Sequence, residues 1–407
     1  VTSAGWPSLP LKRVVDSVQS GTSVNGAPWP ALDDQLGVLK TSAVYGGVFT
    51  PTENKEVESY DRGRVSCPVL AGSLIVSRMN TPQHLGVAAL VSQDFPNLYL
   101  PDRLWAVTFS GAEPRFVDWW TKTTAYRAQV EAVSVGTSSS MQNISQGDFL
   151  EIRIELPDLE TQRAIADYIN RETARIDTLI EEQQRLIEML RERRHSVLAH
   201  ALSGGGPRVP FVRCMTEQVD YRGATPRKTD DGVQLVTARN VKAGWIDYET
   251  SQEFVDPAEY AEIMHRGLPR IGDLLFTMEA PLGNVAVVDR EDIALAQRVI
   301  KWSVDRSKAE PRFLMYAALG DDFQEQLLAR ATGSTALGVK ASKLPELRID
   351  LPSLEEQRSI IICLDEQTAK IDTLMTETEG FIELSRERRS ALITAAVTGQ
   401  VDVREMV

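Results

Sequence analysis

Cysteine is scarce in this chain: three among 407 residues, Cys67, Cys214 and Cys363, far apart and odd in number. That spacing fits neither a disulfide framework nor a zinc site, which leaves buried free thiols as the expectation. Histidine is nearly as rare. His84, His195, His200 and His265 form no HExxH-type cluster. Only His195 and His200 are close in sequence, at what reads as a solvated helix end without the further ligands a metal needs. Long apolar runs are missing as well, none approaching the ~18 residues of a membrane span. The opening VTSAGWPSLP has no basic region followed by a hydrophobic one, so a cytoplasmic protein with no membrane partner is expected.

Excess positive charge is also lacking. The net charge is −13, and four successive segments are each acidic: −3 for 1–155, −2 for 156–205, −3 for 206–350 and −5 for 351–407. Non-specific coating of DNA by charge alone is therefore not expected; binding would have to come from local loops or be completed by a partner. Catalytic signatures are absent from the sequence: no NPPF- or DPPY-type methyltransferase motif, no GxxxxGK[ST] phosphate loop and no His-centred cluster. What remains is a composition typical of globular proteins, 43% hydrophobic and 25% charged, and a length sufficient for two or more cores.

What is present is a repeat. LPDLETQRAIADYINRETARIDTL begins at Leu156 and LPSLEEQRSIIICLDEQTAKIDTL at Leu351, aligned without a gap at an offset of 195 residues through Ser203–Gly204 and Thr398–Gly399. Close to half the positions are identical, including QR, IDTL and RERR, and such repetition decides architecture. Similarity extends upstream more faintly. AGSLIVSRMNTPQHLGVAALV (from Ala71) matches IGDLLFTMEAPLGNVAVVD (from Ile271), and LPDRLWAVTF (from Leu100) matches LAQRVIKWSV (from Leu295). GTSSSMQNIS (from Gly136) matches GSTALGVKAS (from Gly333), and GVLKTSAVYGGVF (from Gly37) sits where GVQLVTARNVKAGWI (from Gly232) sits. Two divergent modules thus precede two near-identical segments.

Short β-branched runs such as SLIVS, VQLVTA and DLLFTM, broken by Gly, Pro and Asn and mixed with helical stretches such as PRFLMYAALGDDFQEQLLARA, predict modules of mixed α/β character with an irregular sheet. The shared segments are predicted helices. Ser353 and Glu356 form a capping box behind Pro352, and Asp158 caps the first copy. Ile176, Leu179, Ile180, Leu186, Ile187, Leu190, Val197 and Leu198, with counterparts Ile371, Leu374, Met375, Phe381, Ile382, Leu392 and Ile393, recur at three- and four-residue steps. The stripe suits either a coiled-coil seam or burial on the neighbouring module; duplication favours the seam, with the two helices antiparallel about a pseudo-twofold axis. SGGGPRVP from Ser203 ends the first helix as a linker. The fold expected is α+β: mixed α/β modules at 1–155 and 206–350, helical regions at 156–205 and 351–407.

Carried by the two LP(D/S)LExQR…IDTL segments, the RERR runs, and DYRGATPRKTD, LVTARNVKAGWID, GDLLFTMEAPLGNVAVV and ATGSTALGVKASKL in the second module, the chain resembles the specificity subunits of type I restriction–modification systems over nearly its whole length. The first module departs more, with GTSVNGAPWP as a loose counterpart of the YRGATP stretch. The resemblance implies a non-catalytic subunit. Each recognition domain would read one half of a split double-stranded DNA sequence, and the paired helices would act as a spacer. Two methyltransferase subunits would dock mainly on the helical regions, and two restriction subunits can join them. No cofactor is implied for this chain; S-adenosylmethionine belongs to the methyltransferase, ATP and Mg to a restriction subunit. A helix from near Asn170 to Leu202 has about 33 residues and about 50 Å of length, against about 34–36 Å for one DNA turn, so an unread spacer of several base pairs is expected.

Arg, Lys, Asn and Gln suit base edges, and Ser, Thr and backbone N–H groups suit phosphates. In the second module this selects Tyr221, Arg222, Thr225, Arg227, Lys228, Arg239, Asn240, Lys242, Ser334, Thr335 and Lys340, with Gly223, Gly333 and Gly338 allowing close backbone approach. In the first it selects Lys40, Thr41, Arg78, Asn80, Gln83, Ser138, Ser139, Gln142 and Asn143. Polar turns are the plainer account of any one of these. Arg103 and Arg298 occupy matching places, where a structural ion pair is expected, and the RERR runs suit late helical turns. The rival from another class is a coiled-coil adaptor without sequence-specific DNA binding, which leaves the two divergent polar-looped modules unexplained.

Overall fold

The computed structural model describes residues 5–138, 141–203, 205–221, 226–296, 298–333, 337–401 and 403. The chain divides into two compact units, one of Val1–Gln183 with Gly380–Val407, the other of Gln184–Glu379. Each unit holds one module and half of each of two long helices, Leu159–Leu202 and Leu354–Val397, both of 44 residues. No helix among the described residues is long and apolar enough to cross a membrane.

The fold is α+β, and its central sheet explains the apolar runs. In the first unit the strands Val15–Ser20, Leu104–Phe109, Leu74–Ser77 and Ala88–Leu90 form an antiparallel sheet in that order. Side chains alternate across a sheet. Leu74, Val76, Trp105 and Val107 accordingly enter one core, while Ile75, Ala89, Leu104 and Ala106 enter another on the opposite face. Burial on both faces is why LIVS has no polar alternation. The second unit repeats the order with Met215–Asp220, Val299–Val304, Leu274–Met278 and Leu282–Val287. There Leu274, Phe276, Ile300 and Trp302 face one core and Leu275, Ala286 and Val299 the other. Each unit also has a small sheet with one parallel pair, Gly37–Leu39 beside Phe95–Tyr99 and Val233–Val236 beside Ile293–Leu295.

Both helix starts are capped as the residues predict. Asp158 accepts from the Thr161 amide at 2.9 Å. Glu356 accepts from the Ser353 amide at 2.9 Å, and Ser353 Oγ accepts from the Glu356 amide at 3.4 Å. The helix begins at Leu159, not near Asn170, because these caps and a latch fix the first turns. That latch explains the repeated QR. Gln162, 1% exposed, accepts from the Glu113 amide at 2.8 Å and donates to Pro157 O at 2.7 Å. Gln357, fully buried, accepts from the Glu310 amide at 2.9 Å and donates to Pro352 O at 2.9 Å. Arg163 and Arg358 reach the same two glutamates. The latched glutamates belong to a second repeated tetrad, EPRF at 113 and 310, which opens the helices Pro114–Trp120 and Pro311–Leu319.

The buried helix positions in the first unit are Gln162, Ala166, Ile169, Thr173 and Ile176 on the first helix with Ile382 and Ser385 on the second; in the second unit they include Ile187 and Leu190 on the first helix with Gln357, Leu364, Thr368, Ile371 and Thr378 on the second. Alternating three- and four-residue steps are the heptad signature. Within the first unit Asp177 takes two hydrogen bonds from Arg389, at 2.8 and 3.2 Å. Within the second, Arg194 donates to Asp372 at 3.2 Å. The two pairs are repeat equivalents, Asp177 matching Asp372 and Arg194 matching Arg389 at the 195-residue offset, so the last arginine of each RERR run ties the helices together, whereas Arg191 and Arg386 pair within their own helix. In the first unit Ile165 and Ile169 share a core with Ile393, Ala396 and Val397; in the second Leu198 shares one with Leu364. The helix halves of each unit therefore run antiparallel, and seam and module burial both operate. Three expected seam residues do not take part: Leu179, Leu374 and Phe381 are exposed, 43%, 48% and 44%, because they lie one step outside the heptad positions.

The glycine run has a specific role at Gly206. Its φ is +111°, and a Cβ there would sit 2.5 Å from Leu351 O, so only glycine fits. Of the cysteines only Cys214 is fully buried, and burial pushes its thiol up to about 11. Cys67 is half-buried and Cys363 is exposed, which corrects the expectation of three buried thiols.

Candidate nucleic-acid interface

In the first module some of the candidate residues come together: Thr41, Asn80, Gln142 and Asn143. The strand Met141–Asn143 pairs with Met79–Asn80, setting Gln142 opposite Asn80 and Asn143 opposite Met79. Asn80 is buried; its amide contacts Tyr45 Oη at 2.9 Å and Ser77 Oγ at 3.1 Å, and its carbonyl oxygen accepts from the Thr81 amide at 2.8 Å. Tyr45 stacks on His84 with ring centroids 3.8 Å apart and planes 7° from parallel. Thr41 Oγ1 lies 3.3 Å from Tyr45 Oη. Arg127 donates to the carbonyls of Pro82 and Leu85, and Tyr126 donates to Gly86 O at 2.8 Å. The loop after Asn80 is thus tied from three sides, leaving Thr81 and Gln83 exposed at its tip.

Other candidates in this module serve the protein itself. Arg78 donates to Asp102 O at 2.7 Å and lies 5.9 Å over the Trp105 ring. Lys40 is 3.6 Å from Glu53, whose carboxyl is held low by hydrogen bonding from Ser42 and by the Lys40 charge. Asn143 keeps its side-chain oxygen buried with no hydrogen-bond partner; such a group is costly until a donor meets it. Ser139 lies outside the described residues, as does the side chain of Ser138.

In the second module two candidates are committed internally. Tyr221 is buried and donates to Gly267 O at 2.6 Å, with burial raising its phenol above the ordinary value. Asn240 is fully buried, accepting from the Thr237 amide and donating to Asp247 O and Ser251 O at 2.9 and 3.1 Å. It organises the loop rather than facing solvent. Lys228 pairs with Glu253 at 2.7 Å, and Lys242 donates to Arg239 O at 2.8 Å. Arg227, Arg239 and Lys340 are exposed, and their side chains have no partner among the described residues. Arg222, Thr225, Ser334 and Thr335, with Gly223, lie outside the described residues. Arg298 approaches Glu279 at 3.9 Å, a weak ion pair, and Arg103 makes none among the described residues. Among the described residues no group of acidic, His and Cys side chains could hold a metal.

Sequence reasoning missed Tyr45, His84 and Arg127. A tyrosine, a histidine and an arginine in three separate segments carry no spacing signal. The EPRF tetrad was visible as a repeat and could have been found.

The comparisons with known proteins agree with this architecture. The family model described as "Type I restriction modification DNA specificity domain" matches residues 263–383. The EcoKI specificity subunit of Escherichia coli K12 is 20% identical, the alignment covering 98% of this chain and 89% of that protein. The StySPI specificity subunit of Salmonella potsdam is 23% identical with the same coverage, and the MjaVIII specificity subunit of Methanocaldococcus jannaschii is 23% identical over 66% of each. A chain of a solved type I R-M system has a TM-score of 0.75 at 17% identity, covering 98% of this chain and 100% of its own length. The HsdS subunit from Thermoanaerobacter tengcongensis has a TM-score of 0.56 at 18% identity, covering 98% of each. The three curated relatives are named specificity subunits, and the Thermoanaerobacter chain an HsdS subunit. The duplicated sheet, the duplicated helix latch and these matches converge on one likeness: residues 263–383 match the type I restriction–modification DNA specificity domain, and over nearly its whole length the chain is similar to specificity subunits of type I restriction enzymes.

Proposed function

We propose that the chain directs a methyltransferase complex to a bipartite duplex sequence, with domains 1–155 and 206–350 each reading one half and the helical regions 156–205 and 351–407 setting the separation. The observation that carries this reading is duplication with divergence. The same sheet order and glutamine latch occur twice, yet where the first module pairs Asn80 with Gln142, the second has Ala280 and Val339 at the aligned positions. A shared frame with different side chains suits two readers of different half-sites. The basic side chains free in the second module, Arg227, Arg239 and Lys340, would serve base edges or phosphates.

Two methyltransferase subunits are the proposed partners, carrying S-adenosylmethionine, and restriction subunits using ATP and Mg would join the same complex. The exposed apolar residues of the helices supply the docking faces. Leu179, Phe381 and Leu384 lie in one unit, and Leu374 and Met189 in the other at the matching offset. Apolar side chains exposed twice at equivalent helix positions suit helices of a partner.

The test is selection from randomised duplex DNA by the chain co-purified with its methyltransferase, followed by binding to the joined site and to each half alone. The joined site should bind far more tightly than either half. Equal affinities would overturn the bipartite reading, and recovery of no sequence would favour a plain adaptor.

A further inference from the structure

Gln83 stands out because everything around it is fixed while it is not. The loop from Asn80 to Leu85 is held by the Asn80 amide network, by the Tyr45–His84 stack at 3.8 Å, and by Arg127 bonded to Pro82 O and Leu85 O. Gln83 sits inside this clamp, exposed, with no side-chain partner among the described residues. Gln142, on the strand paired with Asn80 where the loop begins, also lacks a side-chain partner among the described residues. Placing side chains on a loop already immobilised lowers the entropy lost on binding.

An amide offers one donor and one acceptor side by side. That pair matches adenine, whose major-groove edge presents the N6 amino donor and the N7 acceptor; guanine there presents two acceptors, which suit Arg or Lys. In the second module the corresponding segment is shorter, MEAPLG (278–283) against RMNTPQHLG (78–86), with no glutamine in it, and Val339 stands where Gln142 does, so the feature is private to one half. We propose that the loop clamped by Tyr45, His84 and Arg127 is the base-reading element of the first module, with Gln83, and Gln142 on the strand paired with Asn80, selecting adenine at defined positions of one half-site. Gln83 is the specificity-determining residue, and Tyr45, His84 and Arg127 are positioning residues. The inference rests on the bipartite reading above.

The experiment uses the full chain in complex with its co-purified methyltransferase and a randomised duplex library. With the native chain a bipartite motif should be recovered. Gln83→Ala should flatten the preference for adenine at one position of one half-site, by roughly ten- to a hundredfold, and leave the other half unchanged. Gln83→Arg should move the preference at that position toward guanine. His84→Ala should blur the same half-site, again without altering the other. An unchanged motif with Gln83→Ala and Gln83→Arg, or a change in the other half, overturns the inference while leaving the bipartite reading intact. Recovery of no motif with the native chain overturns the bipartite reading itself. Gln83 is exposed, so thermal melting of the variants should match the native protein, which separates misfolding from loss of reading.

Discussion

Single residues carry unequal weight here, and burial decides which. Lys301 is 1% exposed in a sheet strand, where its ammonium meets Glu217 at 2.8 Å, Asp273 at 3.3 Å and Leu268 O at 3.1 Å. The bond from Lys301 holds the Glu217 carboxyl below its ordinary range. Removing the cation strands the buried Asp273. Lys301→Met should therefore cost about 3–5 kcal/mol in denaturant unfolding, and adding Asp273→Asn should restore part of it; an additive pair of losses would show the two groups are not coupled. The latch glutamines are a second case. Gln162→Ala and Gln357→Ala each leave a backbone amide and a proline carbonyl unpaired in a buried place, so each should destabilise by about 1–3 kcal/mol. Gln357 forms one further bond, to Lys308 O at 3.1 Å, and its loss should be the larger of the two.

At the scale of elements, the long helices depend on their first turns. Asp158 is held below its ordinary value by bonds from Thr161, and Glu356 by bonds from Ser353. A carboxylate whose folded pKa is depressed stabilises fully above its unfolded value and loses that contribution as pH falls through the folded one. The caps should therefore be intact at neutral pH, with loss beginning as pH drops below 4.5 for Glu356 and below 3.8 for Asp158. Amide hydrogen exchange across the first turns should speed up over that acid range; protection unchanged down to pH 3 would contradict the assignment. Helix existence, caps and heptad spacing were all legible in the sequence, because they follow from local periodicity. The exposure of Leu179, Leu374 and Phe381 was not, since a run of three- and four-residue steps leaves the seam open by one position until both helices and the modules compete for the same stripe.

For the whole molecule the central prediction concerns length. If the helices set the separation of two readers, adding one heptad to both at matching positions should lengthen the spacer by roughly 10 Å, or about three base pairs at 3.4 Å each. Motif selection with the lengthened chain checks this, and an unchanged spacer would sink the ruler idea. The duplication itself, the two sheet-rich modules and their helices could be read from the amino acids alone, since repeats at a constant offset and apolar runs are properties of sequence. Which polar residues face solvent could not. Asn240 and Tyr221 look like readers by composition but are consumed by their own loops, whereas Tyr45, His84 and Arg127 look ordinary and meet only when distant segments pack. The chain's order fixes periodicity, caps and copies because these depend on near neighbours; the interface is decided by tertiary structure, because a polar side chain is free to read DNA only where no other part of the fold has already claimed its hydrogen bonds.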